Sequence, residues 1–129
     1  MRHVALSLII ALATVIPAFA KKVERVEIRI GQQKTTSVGH FKIKFVKVME
    51  DSRCPMNAKC TWAGNARVQL TVKGNKGSRT IELNTGRDPH VVTYDGYDFR
   101  MEDVVPSPGG DPQTPRPAPV LTISVEKHK

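Results

Sequence analysis

Residues 66–72 read Ala-Arg-Val-Gln-Leu-Thr-Val, and their side chains alternate between apolar and polar at every step. A period of two places one set of side chains on one face of a β-strand and the other set on the opposite face. The stretch therefore predicts a strand with one side on a core and the other in solvent. The same alternation recurs in residues 26–30, 41–45, 81–83, 97–101 and 121–125.

Turn-forming residues separate these runs, and Gly-Asn-Lys-Gly at 74–77 predicts a hairpin between two of them. The run that begins at Phe41 changes phase between Phe45 and Val46, which predicts a β-bulge or a strand that changes sheet. Residues 105–119 contain most of the prolines, so we expect a surface loop there that joins the last two strands.

Short strands, frequent turns and the lack of a helical repeat predict an all-β fold, either an antiparallel β-sandwich or a small barrel. We favour a small antiparallel β-sandwich of immunoglobulin-like size. We expect residues 21–129 to form this single domain and the final run to pair with an earlier strand; the pattern leaves the strand order open. The predicted core consists of Val26, Ile28, Phe41, Ile43, Val68, Leu70, Phe99, Ile123 and Val125.

Residues 1–20 have the three parts of a bacterial secretory signal peptide. Arg2 supplies a positive start, residues 4–16 are almost wholly apolar, and Ala18-Phe19-Ala20 places small residues at a cleavage site. We expect cleavage near Ala20 and a mature protein in the periplasm or the medium. The alternative is an uncleaved N-terminal anchor. No later stretch is long and apolar enough to predict a membrane-spanning helix.

The chain carries a formal net charge of +8 at pH 7, spread along its length with acidic residues in between. Such a charge favours contact with anionic envelope surfaces, although simple solubility is the preferred explanation. Aromatic residues make up only 5% of the chain. The stacking surface on which single-stranded nucleic acids are bound is therefore not predicted.

The segment 50–64 departs from the strand pattern and contains both cysteines of the chain, Cys54 and Cys60. An even number of cysteines in an exported protein predicts a disulfide, which here closes a short loop. The residues expected to present a binding surface around this loop are Arg53, Met56, Lys59 and Trp62. The structural alternative has Trp62 buried over the end of the sandwich and Arg53 paired with an acidic neighbour.

Two parts of this segment, Asp-Ser-Arg-Cys-Pro at 51–55 and Cys-Thr-Trp-Ala-Gly at 60–64, form a motif. The motif resembles an uncharacterised family of exported bacterial proteins and lipoproteins. The resemblance extends loosely to the flanking strands and to Pro-Ser-Pro at 106–108, and it implies export without implying an activity. Unlike the lipoprotein members, this chain has no cysteine directly after the apolar run 4–16 to carry a lipid.

Enzymatic chemistry is not predicted, because no nucleophile with a nearby base emerges and no Gly-x-Ser-x-Gly is present. No cofactor is predicted either. A crowding of soft ligands offers a chemical alternative, a Cu(I) site. Its ligands are Met49, Cys54, Met56 and Cys60.

The sequence therefore predicts an exported, non-catalytic binding module of the bacterial cell envelope, with no catalytic residues. Its partner is expected to be a protein or another envelope component of unspecified identity. Two alternatives stay open: a periplasmic copper- or redox-linked protein that uses the Met/Cys stretch, and a basic protein held to anionic envelope surfaces.

Overall fold

The alternating runs become eight β-strands in the computed structural model of the chain, which describes residue 13 and residues 22–129. The predicted signal peptide, 1–20, and its cleavage site therefore lie outside the described residues except for Ala13. The strands are β1 (Val23–Arg29), β2 (Gln33–Thr35), β3 (Lys42–Asp51), β4 (Ala66–Gly74), β5 (Gly77–Asn84), β6 (Val91–Tyr94), β7 (Tyr97–Val105) and β8 (Val120–Lys127).

These strands form two four-stranded antiparallel sheets, and no helix occurs between residues 22 and 129. Sheet A has the order β1-β8-β7-β6, and sheet B has the order β2-β3-β4-β5. The predicted all-β fold with two antiparallel sheets is confirmed. The described residues include no helix with the length and apolar character needed to cross a bilayer.

A single hydrophobic core fills the space between the sheets, and all nine residues of the predicted core are buried in it. Phe41, just before β3, packs edge-on against Phe99 of β7, with ring centroids 5.0 Å apart. Burial of this apolar surface is the main force that holds the sheets together.

The predicted interruption of the third strand is a β-bulge, since the register of β3 against β4 shifts between Phe45 and Lys47. The predicted hairpin is also present, with Gly74 paired to Gly77 across the β4–β5 turn. The last strand, β8, pairs with both β1 and β7.

Two short strands were not anticipated, and both lie at sheet edges. Strand β2 is polar and exposed throughout, so it lacks the alternation of apolar residues from which a strand is predicted. Strand β6 reads Val-Val-Thr-Tyr and is too short to display a period. Both form because a neighbouring strand offers backbone hydrogen-bonding partners, which sequence periodicity does not report.

The two ends of the sandwich differ in what they contain. One end, named the aromatic end here, holds Phe41 against the rings of Tyr94, Tyr97 and Phe99. The other, the loop end, gathers three connections: 52–65 after β3, 85–90 after β5, and 106–119 after β7.

Candidate functional site

The predicted disulfide is present at the loop end, where the sulfur atoms of Cys54 and Cys60 are bonded and their Cα atoms lie 5.7 Å apart. Closing so short a loop contributes only about 2 kcal/mol in the chain-entropy model. The bond also fixes a tight turn, in which the Ala58 amide donates to the Pro55 carbonyl over 3.1 Å. Its role in shaping the loop is therefore at least as important as its role in stability.

The neck of the disulfide loop is closed by Ser52 and Asn65. The Ser52 amide donates to the Asn65 carbonyl (2.8 Å), and the Asn65 amide donates to the Ser52 hydroxyl (3.0 Å). The buried side chain of Asn65 then donates to Asn84 (2.9 Å) and accepts from the amide of Gly86 (2.9 Å). These bonds fix the loop on sheet B and join it to the 85–90 connection.

Gly64 of the motif fits this neck because it has no side chain. Its φ angle is +69°, a left-handed conformation that favours glycine. A Cβ placed on Gly64 would lie 2.2 Å from the Ser52 carbonyl oxygen, far inside contact distance. The motif glycine is therefore required by the backbone packing of the loop.

Arg53 links the disulfide loop to the end of β7. Its guanidinium donates two hydrogen bonds to the Asp51 carboxylate, both of 2.8 Å. It donates two more, to the carbonyl oxygens of Val104 (2.7 Å) and Pro106 (3.1 Å). With its side chain only 15% exposed, Arg53 holds the loop in place and also lines the larger of the two clefts at this end.

This ion pair changes the titration of both partners. Burial on its own would raise the pKa of Asp51, but the hydrogen bonds and charge of Arg53, together with the charge of Arg116, lower that pKa below its usual value. The hydrogen bond to Asp51 raises the pKa of Arg53 against the opposing effect of burial. Both groups are therefore charged at neutral pH.

The other three predicted binding residues are exposed at the same end. Trp62 is 57% exposed, and its indole N–H donates to the Ser52 carbonyl (3.1 Å), which holds the ring across the neck. Met56 is also 57% exposed, and Lys59 lies on the exposed side of the disulfide turn. Trp62 is thus a surface residue rather than a buried plug.

The proline-rich connection 106–119 docks on the disulfide loop. The Met56 amide donates to the Pro108 carbonyl (2.8 Å), and the Gly110 amide donates to the Asn57 side chain (3.3 Å). Arg116 stiffens the connection from within by donating to the carbonyl oxygens of Ser107 and Gly109. Two segments far apart in the sequence therefore form one surface.

Two clefts open where these loops meet. The larger, of about 280 Å³, is bounded by Val48 and Val104 on the strand side and contains the Asp51–Arg53 pair. The smaller, of about 120 Å³, lies beside Met56. Both clefts are lined by Pro106, Arg116 and Pro117.

Sequence reasoning missed the contribution of this second loop, above all that of Arg116. The density of prolines marked residues 105–119 as irregular but did not indicate that they dock on the disulfide loop. The prolines themselves were the available signal for docking. A loop with many prolines loses little conformational entropy when it is fixed against a neighbouring segment.

The residues of the alternative copper site are not arranged as a set of free ligands. Cys54 and Cys60 are bonded to each other, so neither presents a thiolate. Met56 lies at the smaller cleft, and Met49 lies on β3. Among the described residues, no group of three or more His, Cys, Asp or Glu side chains is placed to hold a metal ion.

The motif that spans 51–64 therefore has a structural explanation, in which Ser52, Arg53 and Gly64 shape the loop and Trp62 crosses its neck. The resemblance to the family of exported proteins stays a prediction that rests on that motif. Comparisons of the chain with protein-family models, with curated proteins and with solved structures found no match.

Proposed function

We propose that this protein is an exported, non-catalytic binding module of the bacterial cell envelope, and that it recognises a protein partner through its loop end. The observation that carries the proposal is the locking of two irregular loops into one surface. Hydrogen bonds from Met56 to Pro108 and from Arg53 to Pro106 hold the loops together. Clefts open between them beside exposed side chains.

Preorganisation supports a binding role. The disulfide, the prolines and the hydrogen bonds at the neck fix the loops before any partner arrives, which reduces the entropy lost on association. Stability alone does not require such a loop, since the core is already built from both sheets. Rigid loops at the end of a sandwich are where binding residues most often lie.

The exposed side chains at the loop end are of the types that protein interfaces favour. Trp and Met are enriched at interfaces, and both Trp62 and Met56 are more than half exposed. The proline rings of the cleft wall present apolar surface beside the guanidinium of Arg116. A partner segment with an apolar side chain next to an acidic one complements this pairing.

A binding role without catalysis is consistent with the chemistry of the clefts. The charge of Asp51 is already matched by Arg53, and the two cysteine sulfurs are bonded. None of the three histidines within residues 22–129, His40, His90 and His128, lines either cleft. His90 contacts Asn84, and His128 contacts Asp98.

Export is proposed on two grounds. Residues 1–20 carry the charge, apolar core and small residues of a signal peptide. The Cys54–Cys60 bond is of a kind that persists in oxidising compartments such as the periplasm.

Site-specific photo-crosslinking of the full chain in a bacterial host tests both parts of the proposal. A photoreactive amino acid is placed at Lys59 or at Trp62, and a matched control carries it at Lys76, which is 75% exposed on the β4–β5 turn at the aromatic end. We expect the loop-end positions to yield one discrete crosslinked protein in the envelope fraction, and Lys76 to yield none.

Arg116→Ala provides a second test, because it removes the hydrogen bonds that stiffen the proline-rich loop while leaving the strands intact. The crosslink should weaken in this variant. The proposal fails if Lys76 gives the same product as Lys59, or if the loop-end positions give no product from correctly exported protein. A protein retained in the cytoplasm would contradict the export step alone.

A further inference from the structure

We propose that the outer face of sheet B is a second binding surface, which takes a linear acidic polysaccharide. This surface, the lysine face, is formed by Lys42, Lys44 and Lys47 of β3 and Lys73 of β4. It lies on the side of sheet B that faces away from the core. The inference goes beyond the proposed role of the loop end and does not depend on it.

The bulge in β3 is what assembles this face. Lys42 and Lys44 point outward, since Ile43 between them and Phe45 after them are buried. An unbroken strand would then turn Lys47 toward the core, since side chains alternate between faces. The register shift between Phe45 and Lys47 reverses that alternation and leaves Lys47 exposed opposite Gln69.

The resulting arrangement places like charges together without compensation. Lys42 lies directly opposite Lys73 in the antiparallel register, an arrangement that destabilises a sheet. The three lysines of β3 then form a row about 15 Å long, given the rise per residue of a strand. A fold selected for stability alone gains nothing from this row, whereas a polyanion would neutralise it.

The acidic residues near this face are already paired with arginines. Glu82 contacts Arg67 at 3.9 Å, and Glu50 forms a salt bridge with Arg87. Within residues 22–129, none of the four lysines of the lysine face forms a salt bridge. Their charges are therefore available to a ligand.

The two sheets differ in the charge that their strands carry. The strands of sheet A carry four cationic and six anionic side chains. Those of sheet B carry seven cationic and three anionic side chains. The excess positive charge of the strands thus lies on sheet B.

The uncharged residues of the lysine face favour a polysaccharide over a bilayer or a nucleic acid. Gln69, Thr71 and Thr80 lie between and beside the lysines and present amides and hydroxyls, which hydrogen-bond to sugar hydroxyls. The strands of this face contribute no outward aromatic ring for stacking on bases. The strands that form the lysine face also contain no Trp or Tyr, the residues that anchor proteins at a lipid interface.

The test compares two variants of the full-length protein with equal loss of charge. One replaces the four lysines of the lysine face with glutamine. The control replaces the four cations of sheet A, Arg25, Arg29, Arg100 and Lys127, with glutamine. Two double variants, at Lys42 with Lys73 and at Lys44 with Lys47, cover the case in which the quadruple variant fails to fold. Circular dichroism checks the fold of each.

Binding is measured by salt elution from immobilised heparin and by titration with soluble polygalacturonate, a carboxylated polysaccharide. We expect the lysine-face variant to bind about 30-fold more weakly, the combined effect of four exposed ion pairs of ordinary strength, while the sheet A control binds like the unmodified protein. Each double variant should lose about fivefold.

Three results would overturn the inference. Equal weakening in the sheet A control would mean that only net charge matters, and unchanged binding in the lysine-face variants would place the site elsewhere. Tighter binding to phosphatidylglycerol vesicles or to inorganic polyphosphate than to both polysaccharides would assign the face to a bilayer or to a bare phosphate chain.

Discussion

The two ends of the sandwich are held together by different physics. At the aromatic end, Phe41 is fully buried and packs edge-on against Tyr97 and Phe99 at centroid distances of 5.1 and 5.0 Å. At the loop end, hydrogen bonds and one ion pair around Arg53 and Asn65 hold the segments together. Apolar packing stabilises the first end, and directional polar contacts shape the second.

This difference supports the proposal that the loop end is the binding surface. Apolar burial depends on area and tolerates changes of pH and salt, so it suits a permanent core. A polar network depends on each partner being present and correctly oriented, and it keeps charged groups near the surface. The geometry of the loop end is therefore more precisely specified than that of the aromatic end, and it is also more easily disturbed by changes of pH and salt.

The largest effect is expected from Phe41→Ala at the aromatic end. Removing a fully buried ring should lower the free energy of unfolding by about 4 kcal/mol, because transfer and cavity costs add. Urea denaturation followed by circular dichroism measures the change. Trp62→Ala is the matched control at the loop end, where the exposed ring should cost less than about 1 kcal/mol. Equal losses in the two variants would erase the distinction between the ends.

A smaller effect is expected from Gly64→Ala, which adds a Cβ next to the Ser52 carbonyl. Left-handed strain and the clash together should lower the free energy of unfolding by about 2–3 kcal/mol. Gly31→Ala separates the two causes, since Gly31 also has a positive φ of +82° but no atom within 4 Å of the added Cβ. It should cost only about 1 kcal/mol. If Gly64→Ala costs no more than Gly31→Ala, the neck is not tightly packed.

The smallest effect is expected from acid, and it should be confined to the loop end. The pKa of Asp51 is lower in the folded protein than its usual value near 3.9. The stabilisation by this carboxylate is therefore complete above about pH 4 and is lost as the pH falls through the folded pKa. For a partly exposed pair the loss should be at most about 1 kcal/mol.

The fluorescence of Trp62, the single tryptophan of the chain, reports this loosening because its indole N–H contacts Ser52 next to the pair. We expect its emission to change below about pH 4 while circular dichroism of the strands stays constant. Asp51→Asn should remove the change. Emission that titrates together with the strand signal would mean that the ends do not respond independently.

The period-two alternation in the sequence was sufficient to predict the features that depend only on the residues of one strand. The alternation in 66–72 and its counterparts identified the core, and the phase change after Phe45 located a bulge. The alternation did not predict strand β2, because its residues are polar and pair only where β3 lies beside them. The same holds for the docking of Pro108 on Met56, which joins residues far apart in the chain.

The sequence by itself determined the two-sheet architecture, the buried face of each long strand and the disulfide, because period-two burial and cysteine pairing are written into short stretches. Only the tertiary structure decided that Trp62 is exposed and that Arg116 lines both clefts. It also decided that Arg53 forms hydrogen bonds with Asp51 and with the end of β7. These positions depend on which loops meet at one end of the sandwich. That meeting is set by strand order, which carries no local signal in the chain.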